Sequence, residues 1–266
     1  MGAAPENGRQ DRWHRPLEGQ IKTLRINKKA GQWYAAFSCL MDDPAPCAPT
    51  GENVGIDVGL THLLTMSSGE TVENPHWYRM EQATLRVIQR RIARRTKGGG
   101  NRKKAIAQVQ RQHERIANRR KDYLHKLVKQ MVRSYDTIAL EDLRITTMVK
   151  NHHLSKSIMD AGWTYFAAHL ISKAESAGRQ VCFVDPAYTS KTCAGCGERF
   201  AHEITLAVRW VTCRRCGLSL DRDHNAAINI LKRAQGTCGS RPAGTPPLGA
   251  NVAGVPACVA QEAAPL

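Results

Sequence analysis

The sequence predicts a mixed α/β fold carrying a basic helical hairpin and an inserted four-cysteine zinc ribbon. Three observations lead there. Short apolar strands ending in carboxylates alternate with stretches of helical period. Between Arg86 and Arg133 stand 17 basic residues against only two acidic ones, Glu114 and Asp122. Two Cys-x2-Cys pairs, 193/196 and 213/216, lie 16 residues apart.

The elements follow in chain order. Residues 1–16 are polar and read as disordered. Ile21–Ile26 and Gln32–Leu40 read as a hairpin around the turn Asn27–Gly31. The stretch 42–51, with three prolines, reads as a linker. Val54–Gly59 and Thr61–Met66 are strands, with a third expected after the turn at 67–70. From about His76 the period becomes helical, with Leu85, Ile88 and Ile92 on one stripe. Gly98-Gly99-Gly100 interrupts it. Ile106, Val109, His113, Ile116, Tyr123, Leu127 and Met131 then form a second seam with a seven-residue step over Arg120. An antiparallel helical hairpin with a narrow apolar seam accounts for both stripes. Trp77 is assigned to the base of that hairpin, and Tyr123 and His113 to its seam, ahead of roles in base stacking or ligation. Strand 137–141, a helix from about 154 to 177 stopped by Gly178, strand 180–184 and a helix 223–234 complete the predicted core. Residues 235–266 hold five Gly, five Pro and seven Ala without period and read as a disordered tail.

Charge and composition exclude several classes. The formal net charge of +16 is concentrated, since the Arg86–Arg133 stretch alone carries +15. Seventeen to two cannot be intrahelical pairing, so a polyanion is the expected partner. The exposed cations expected to meet it are Arg86, Arg90, Arg91, Arg94, Arg95, Lys97, Arg102, Lys103, Lys104, Arg111, Arg115, Arg119 and Arg120. No stretch approaches the roughly 18 apolar residues of a membrane helix, and MGAAPENGRQDRWHRP lacks an apolar signal core. The expected location is therefore the cytoplasm, in association with the nucleoid. In that reducing compartment, nine cysteines are metal ligands or free thiols.

Cys193, Cys196, Cys213 and Cys216 have the spacing of a four-thiolate zinc site. Two intervening residues let one tight turn present both sulfurs to a tetrahedral ion. Four thiolates leave no open position, so this Zn2+ is structural. Cys39, Cys47, Cys182, Cys238 and Cys258 have no such spacing, and Cys182 reads as a buried strand residue.

Alternation puts Gly55, Asp57 and Gly59 on one strand face, opposite Ile56 and Val58. Glu141 likewise shares a face with Thr137 and Ala139. Each carboxylate sits near a strand end on a small-residue face, which leaves room for a metal ion and a substrate backbone. A third, Asp223, opens the last helix, and Asp221 competes with it for that role. Three such groups support a convergent site for two Mg2+ ions acting on a phosphodiester. Asp142 points away from Glu141.

The segments GIDVGLTHLLTMSSGETVENP, IALEDLRI, SKSIMDAGWTYF, DPAYTSKTCAGCG and LDRDHNAAINIL resemble, in order, the TnpB family of OrfB-type proteins from IS200/IS605 insertion sequences, relatives of the Cas12 effectors. The resemblance covers about residues 52–234, and residues 17–51 look like a partial wedge-type β segment and linker. It implies a RuvC-like RNase H fold over 52–192 and 219–234, with the basic hairpin at 76–133 and the zinc ribbon inserted at 193–218. It also implies Asp57, Glu141 and Asp223 as catalytic magnesium ligands. The implied activity is Mg2+-dependent, RNA-guided cleavage of DNA, with guide RNA and target DNA as partners. Only about 50 residues precede Asp57, fewer than the family usually carries. The expectation is that self-association or a helper protein supplies the remainder. A catalytically idle RNA- or DNA-binding regulator, or a transposon remnant, is the alternative.

Overall fold

A computed structural model describes residues 17–42, 44–200, 204 and 208–237. The expected disordered segment 1–16, and all but the first three residues of the expected disordered tail 235–266, lie outside these. Two compact units are present, one built from the described residues up to 44 with 80–119, the other from 45–79 with 120–237.

In the first unit, β1 (Gln20–Lys29) and β2 (Gln32–Leu40) pair antiparallel. The turn is the two residues Ala30 and Gly31, both at positive φ (49° and 86°), tighter than the predicted five-residue turn. This primed geometry matches the twist of the strands it joins. Helices α1 (Trp77–Ala93) and α2 (Gly100–Ser134) run on into the second unit. Their portions within the first unit bury Leu85, Ile88, Ala105 and Ile116. Ile106 and His113, expected on the seam, are exposed. An alternating three-and-four count follows a 3.5-residue period, whereas a straight helix drifts from it by about 20° per heptad. Glu114, one of the two acids in the basic run, is buried. It accepts a hydrogen bond from the Tyr34 hydroxyl (3.0 Å) and lies 3.7 Å from Lys29, tying β hairpin to helix.

The second unit is organised by a five-stranded sheet of order β5-β4-β3-β6-β7. Its strands are β3 (Asn53–Val58), β4 (His62–Met66), β5 (Thr71–Glu73), β6 (Thr137–Glu141) and β7 (Gln180–Val184). The first three make an antiparallel meander, and β6 and β7 run parallel to β3. One face carries Val54, Ile56, Ile138 and Leu140. These pack with Leu124, Leu127, Val128, Met131 and Val132 of α2 and with Phe166 and Leu170 of a later helix. The predicted 154–177 helix is in fact two, α4 (Ser155–Ala161) and α5 (Trp163–Ser176), following the short α3 (Ile145–Met148). Gly162, at φ +71°, breaks them. Gly178 ends α5 as predicted, two residues past Ser176 at φ +68°.

The opposite sheet face is covered by α6 (Arg222–Thr237), which extends three residues into the expected tail. Ala139, Cys182, Val184, Ile230 and Ala234 form the core there, and Cys182 is disulfide-bonded, against the expectation that every cysteine be a metal ligand or a free thiol. The small-residue face expected to leave open space is filled at Gly55 by this helix. A Cβ on Gly55 would lie 2.2 Å from the Ala227 carbonyl oxygen and 2.6 Å from the Leu231 nitrogen. Glycine lets α6 lie directly on β3.

The expected linker is anchored. Asp136 accepts from the N–H groups of Thr50 (2.8 Å) and Gly51 (2.7 Å), and buried Arg179 bonds Asp136 and the Ala48 carbonyl (2.7 Å). No helix among the described residues is long and apolar enough to cross a membrane.

Candidate functional site

Parallel pairing of β3 with β6 brings the C-terminal ends of both strands to one edge of the sheet, with Asp57 and Glu141 on the α6 side. Helix α6 then carries Asp223 to the same place. Burial pushes the Asp57 carboxyl well above its usual range. The charges of Glu141 and Asp223 add to that rise, Arg222 opposes it, and Asp221 adds a smaller contribution. Burial also raises Glu141, against the lowering effect of a hydrogen bond from the Thr189 hydroxyl. The charges of Glu141 and Asp223 both reach Asp57, so the three acids form one anionic cluster.

Asp221 and Asp223 do different jobs. Asp221 Oδ1 accepts the N–H groups of Asp223 (2.9 Å) and His224 (3.1 Å), so Asp221 is the N-cap of α6. Asp223, one turn-position further in, is buried and faces the other carboxylates. Its charge is met by Arg222 (2.6 Å) and by Arg209 (3.3 Å), which also donates to Thr61 Oγ1 (2.7 Å). Sequence reasoning missed Arg209, Arg222 and Thr189. Arg209 and Thr189 flank the cysteine pairs in irregular chain, where no periodicity marks a functional position.

The four cysteines come together. Their sulfurs all lie within 4.8 Å of one another, with Cys193–Cys216 and Cys196–Cys213 each at 3.6 Å. A tetrahedron of sulfurs about 2.3 Å from one ion has edges of about 3.8 Å, so the spacing suits zinc. The N–H groups of Cys216 and Arg215 pull the Cys213 thiol down to about 7, whereas, against the Leu218 N–H, burial and the three neighbouring cysteines push Cys216 up to about 11, so with no cation the four sulfurs do not all ionise together. Behind the knuckles, β8 (Trp210–Thr212) and β9 (Ser219–Asp221) pair antiparallel. The first knuckle is pinned to α6. Asn225 Oδ1 accepts the Ala194 N–H (2.8 Å), and Asn229 Nδ2 donates to the carbonyls of Thr189 (2.8 Å) and Thr192 (2.7 Å).

The cations proposed for nucleic acid divide. Arg86, Arg90, Arg91, Arg94, Arg95, Lys97, Lys103, Lys104, Arg111 and Arg115 are exposed. Arg102 donates to the Ile92 carbonyl (2.7 Å) at the helix turn, and Arg119 pairs with Glu81 (3.2 Å). Arg120 is committed inside the second unit. It pairs with buried Asp160 (2.7 Å), whose carboxylate also accepts the Tyr78 N–H (2.9 Å). That pair explains the polar step in the apolar stripe. Trp77 is buried there, edge-on to Tyr123 (5.4 Å) and 6.0 Å from the Arg120 guanidinium.

The OrfB_IS605 family, described as "Probable transposase", matches residues 36–152, and the Cas12f1-like TNB domain matches 163–230. A "Putative RNA-guided DNA endonuclease" of Streptomyces pristinaespiralis is 41% identical over 86% of the chain and 58% of its own length. The Escherichia coli K12 "Putative RNA-guided DNA endonuclease InsQ" is 32% identical over 82% of the chain and 58% of its own length. The CRISPR-associated endodeoxyribonuclease Cas12f1 of Sulfoacidibacillus thermotolerans is 27% identical over 80% and 53%. The chain thus spans somewhat over half the length of these relatives. Among solved structures, a Cas12f1-sgRNA-target DNA complex shares the fold with TM-score 0.50 and 16% identity, over 78% of this chain and 55% of that one. An OrfB_IS605 segment thus leads into a Cas12f1-like TNB segment, and over most of its length the chain is similar to putative RNA-guided DNA endonucleases of the TnpB/InsQ type.

Proposed function

We propose that this chain is a Mg2+-dependent, RNA-guided DNA endonuclease of the TnpB type, with Asp57, Glu141 and Asp223 as its catalytic carboxylates. The carrying observation is the cluster formed as β3, β6 and α6 bring the three carboxylates together, in which burial, Glu141 and Asp223 hold Asp57 above its ordinary range. The meander-plus-parallel order β5-β4-β3-β6-β7, with α6 delivering the third acid, supports a RuvC-like RNase H fold. Names and structures of the relatives support guide RNA and target DNA as partners. The four thiolates support a structural Zn2+.

Two half-buried carboxylates, Asp57 and Glu141, stand with buried Asp223 at one end of the sheet, and hard oxygen donors of this kind suit Mg2+. Ions held there would activate the attacking water and stabilise the leaving oxygen of the phosphodiester. The chain's own groups orient the reactants. Arg209, half exposed beside Asp223, offers its guanidinium to a backbone phosphate. Asp221 keeps the first turn of α6, and so Asp223, in register. The exposed arginines and lysines of α1 and α2 supply the polyanion contacts.

The test is cleavage of DNA by the purified protein with its co-purifying RNA, with and without Mg2+, beside Asp57→Ala. Parental cleavage that is lost in the variant is expected. Equal cutting by the variant would remove the site assignment. Tight RNA binding without parental cleavage would establish the regulator instead.

A further inference from the structure

The carboxylate cluster has one neutral partner so far without a role, Thr189. Thr189 lies between β7 and the first cysteine pair and is 3% exposed. Its hydroxyl lies within reach of two acceptors, Glu141 Oε1 and the Pro186 carbonyl (3.1 Å), and its one proton goes to the nearer, Glu141. Among the described residues, no other hydrogen bond to the Glu141 side chain is present. The Thr189 backbone is itself fixed, because its carbonyl accepts from buried Asn229 of α6 (2.8 Å). The same asparagine holds the Thr192 carbonyl, one residue before Cys193.

We infer that Thr189 is a positioning residue that sets the rotamer of Glu141 for divalent-cation binding, and that Asn229 locks Thr189 in place. The inference rests on the proposed carboxylate site. A carboxylate presents one oxygen to an ion reproducibly only when its other oxygen is held. A hydroxyl suits this task, being a small donor that adds no charge to compete with the cation. Glu141 ends a strand with two freely rotating side-chain bonds before its carboxylate, so without Thr189 it samples several rotamers. Valine at 189 keeps the shape and removes the donor, whereas serine keeps the donor.

The experiment titrates the purified full chain with Mn2+, following bound ion by electron paramagnetic resonance. DNA cleavage against Mg2+ concentration is measured in parallel. Thr189→Val is expected to weaken Mn2+ binding about tenfold and to raise the Mg2+ requirement similarly. Thr189→Ser should stay within about twofold of the parent on both measures. Zinc content and melting temperature should match the parent in both variants. Parental Mn2+ affinity in Thr189→Val, or equal losses in the valine and serine variants, would overturn the positioning role. Asp57→Ala separates the two readings. If it too binds Mn2+ like the parent, the carboxylate site itself is refuted and the Thr189 role falls with it. If Asp57→Ala loses Mn2+ while Thr189→Val does not, only the Thr189 role falls.

Discussion

Asp57 carries the plainest residue-scale consequence. Its folded pKa lies above its unfolded value because burial and two neighbouring carboxylates disfavour the ion. The folded state therefore holds a proton that the unfolded state releases, and stability falls as pH rises from about 4 through the folded pKa. Asp57→Asn removes this penalty. In EDTA at neutral pH, its melting temperature is expected to rise by several degrees over the parent, with the gain vanishing below about pH 4. Calorimetric melts across pH measure it. His169 works in the opposite direction. Burial, then His125 stacked on it at 4.0 Å, then Lys173, lower it to about 4. Because the unfolded imidazole protonates first, the His169 contribution is complete above about pH 6.5 and is lost as pH falls toward about 4. His169→Phe should flatten that acid limb of the stability curve.

At the scale of elements, the contact between α6 and β3 decides whether Asp223 reaches Asp57. Any side chain at 55 meets backbone, not a yielding side chain. Gly55→Ala is expected to cost about 3 kcal/mol in urea unfolding and to depress cleavage further, since α6 must lift and take Asp223 with it. The zinc knuckle is an element of the same machinery through Asn225 and Asn229. Cys213→Ser should lose the zinc and lower the melting temperature, read by metal analysis and thermal melts. Unchanged metal content and stability would refute the ribbon. Much of this level was legible in advance. Alternation put Asp57 and Glu141 each on the small-residue face of its own strand, because strand period maps directly to side, and the pairing of β3 with β6 makes the two one face. The break at Gly162 was not legible, since the apolar positions on either side continue a helical count. Nor was the work of Gly55, where the missing side chain matters to a helix more than 160 residues away.

For the whole molecule, the concentration of charge is the dominant long-range fact. Nucleic-acid affinity should fall linearly on a log–log plot against salt, each phosphate contact contributing a slope of about −0.7 to −0.9. Combined Arg86→Ala, Arg90→Ala and Arg94→Ala should flatten that slope by roughly two to three, measured by filter binding from low to high salt. Arg120→Ala should instead show as lost stability, because its partner Asp160 is buried and would be left unpaired. Charge counting alone placed Arg120 with the other cations; only the position of Asp160 tells it apart.

The Asp160 carboxylate also has an implication for chain architecture. It holds Tyr78 and Arg120, the residues at which the polypeptide leaves the sheet-bearing unit and returns to it. Exit and re-entry are thus fastened to one side chain, and the forty residues between them, 80–119, behave as a cassette spliced into a closed frame. A short flexible bridge in their place should leave a frame that still folds and loads zinc, stripped of most of its grip on polyanions.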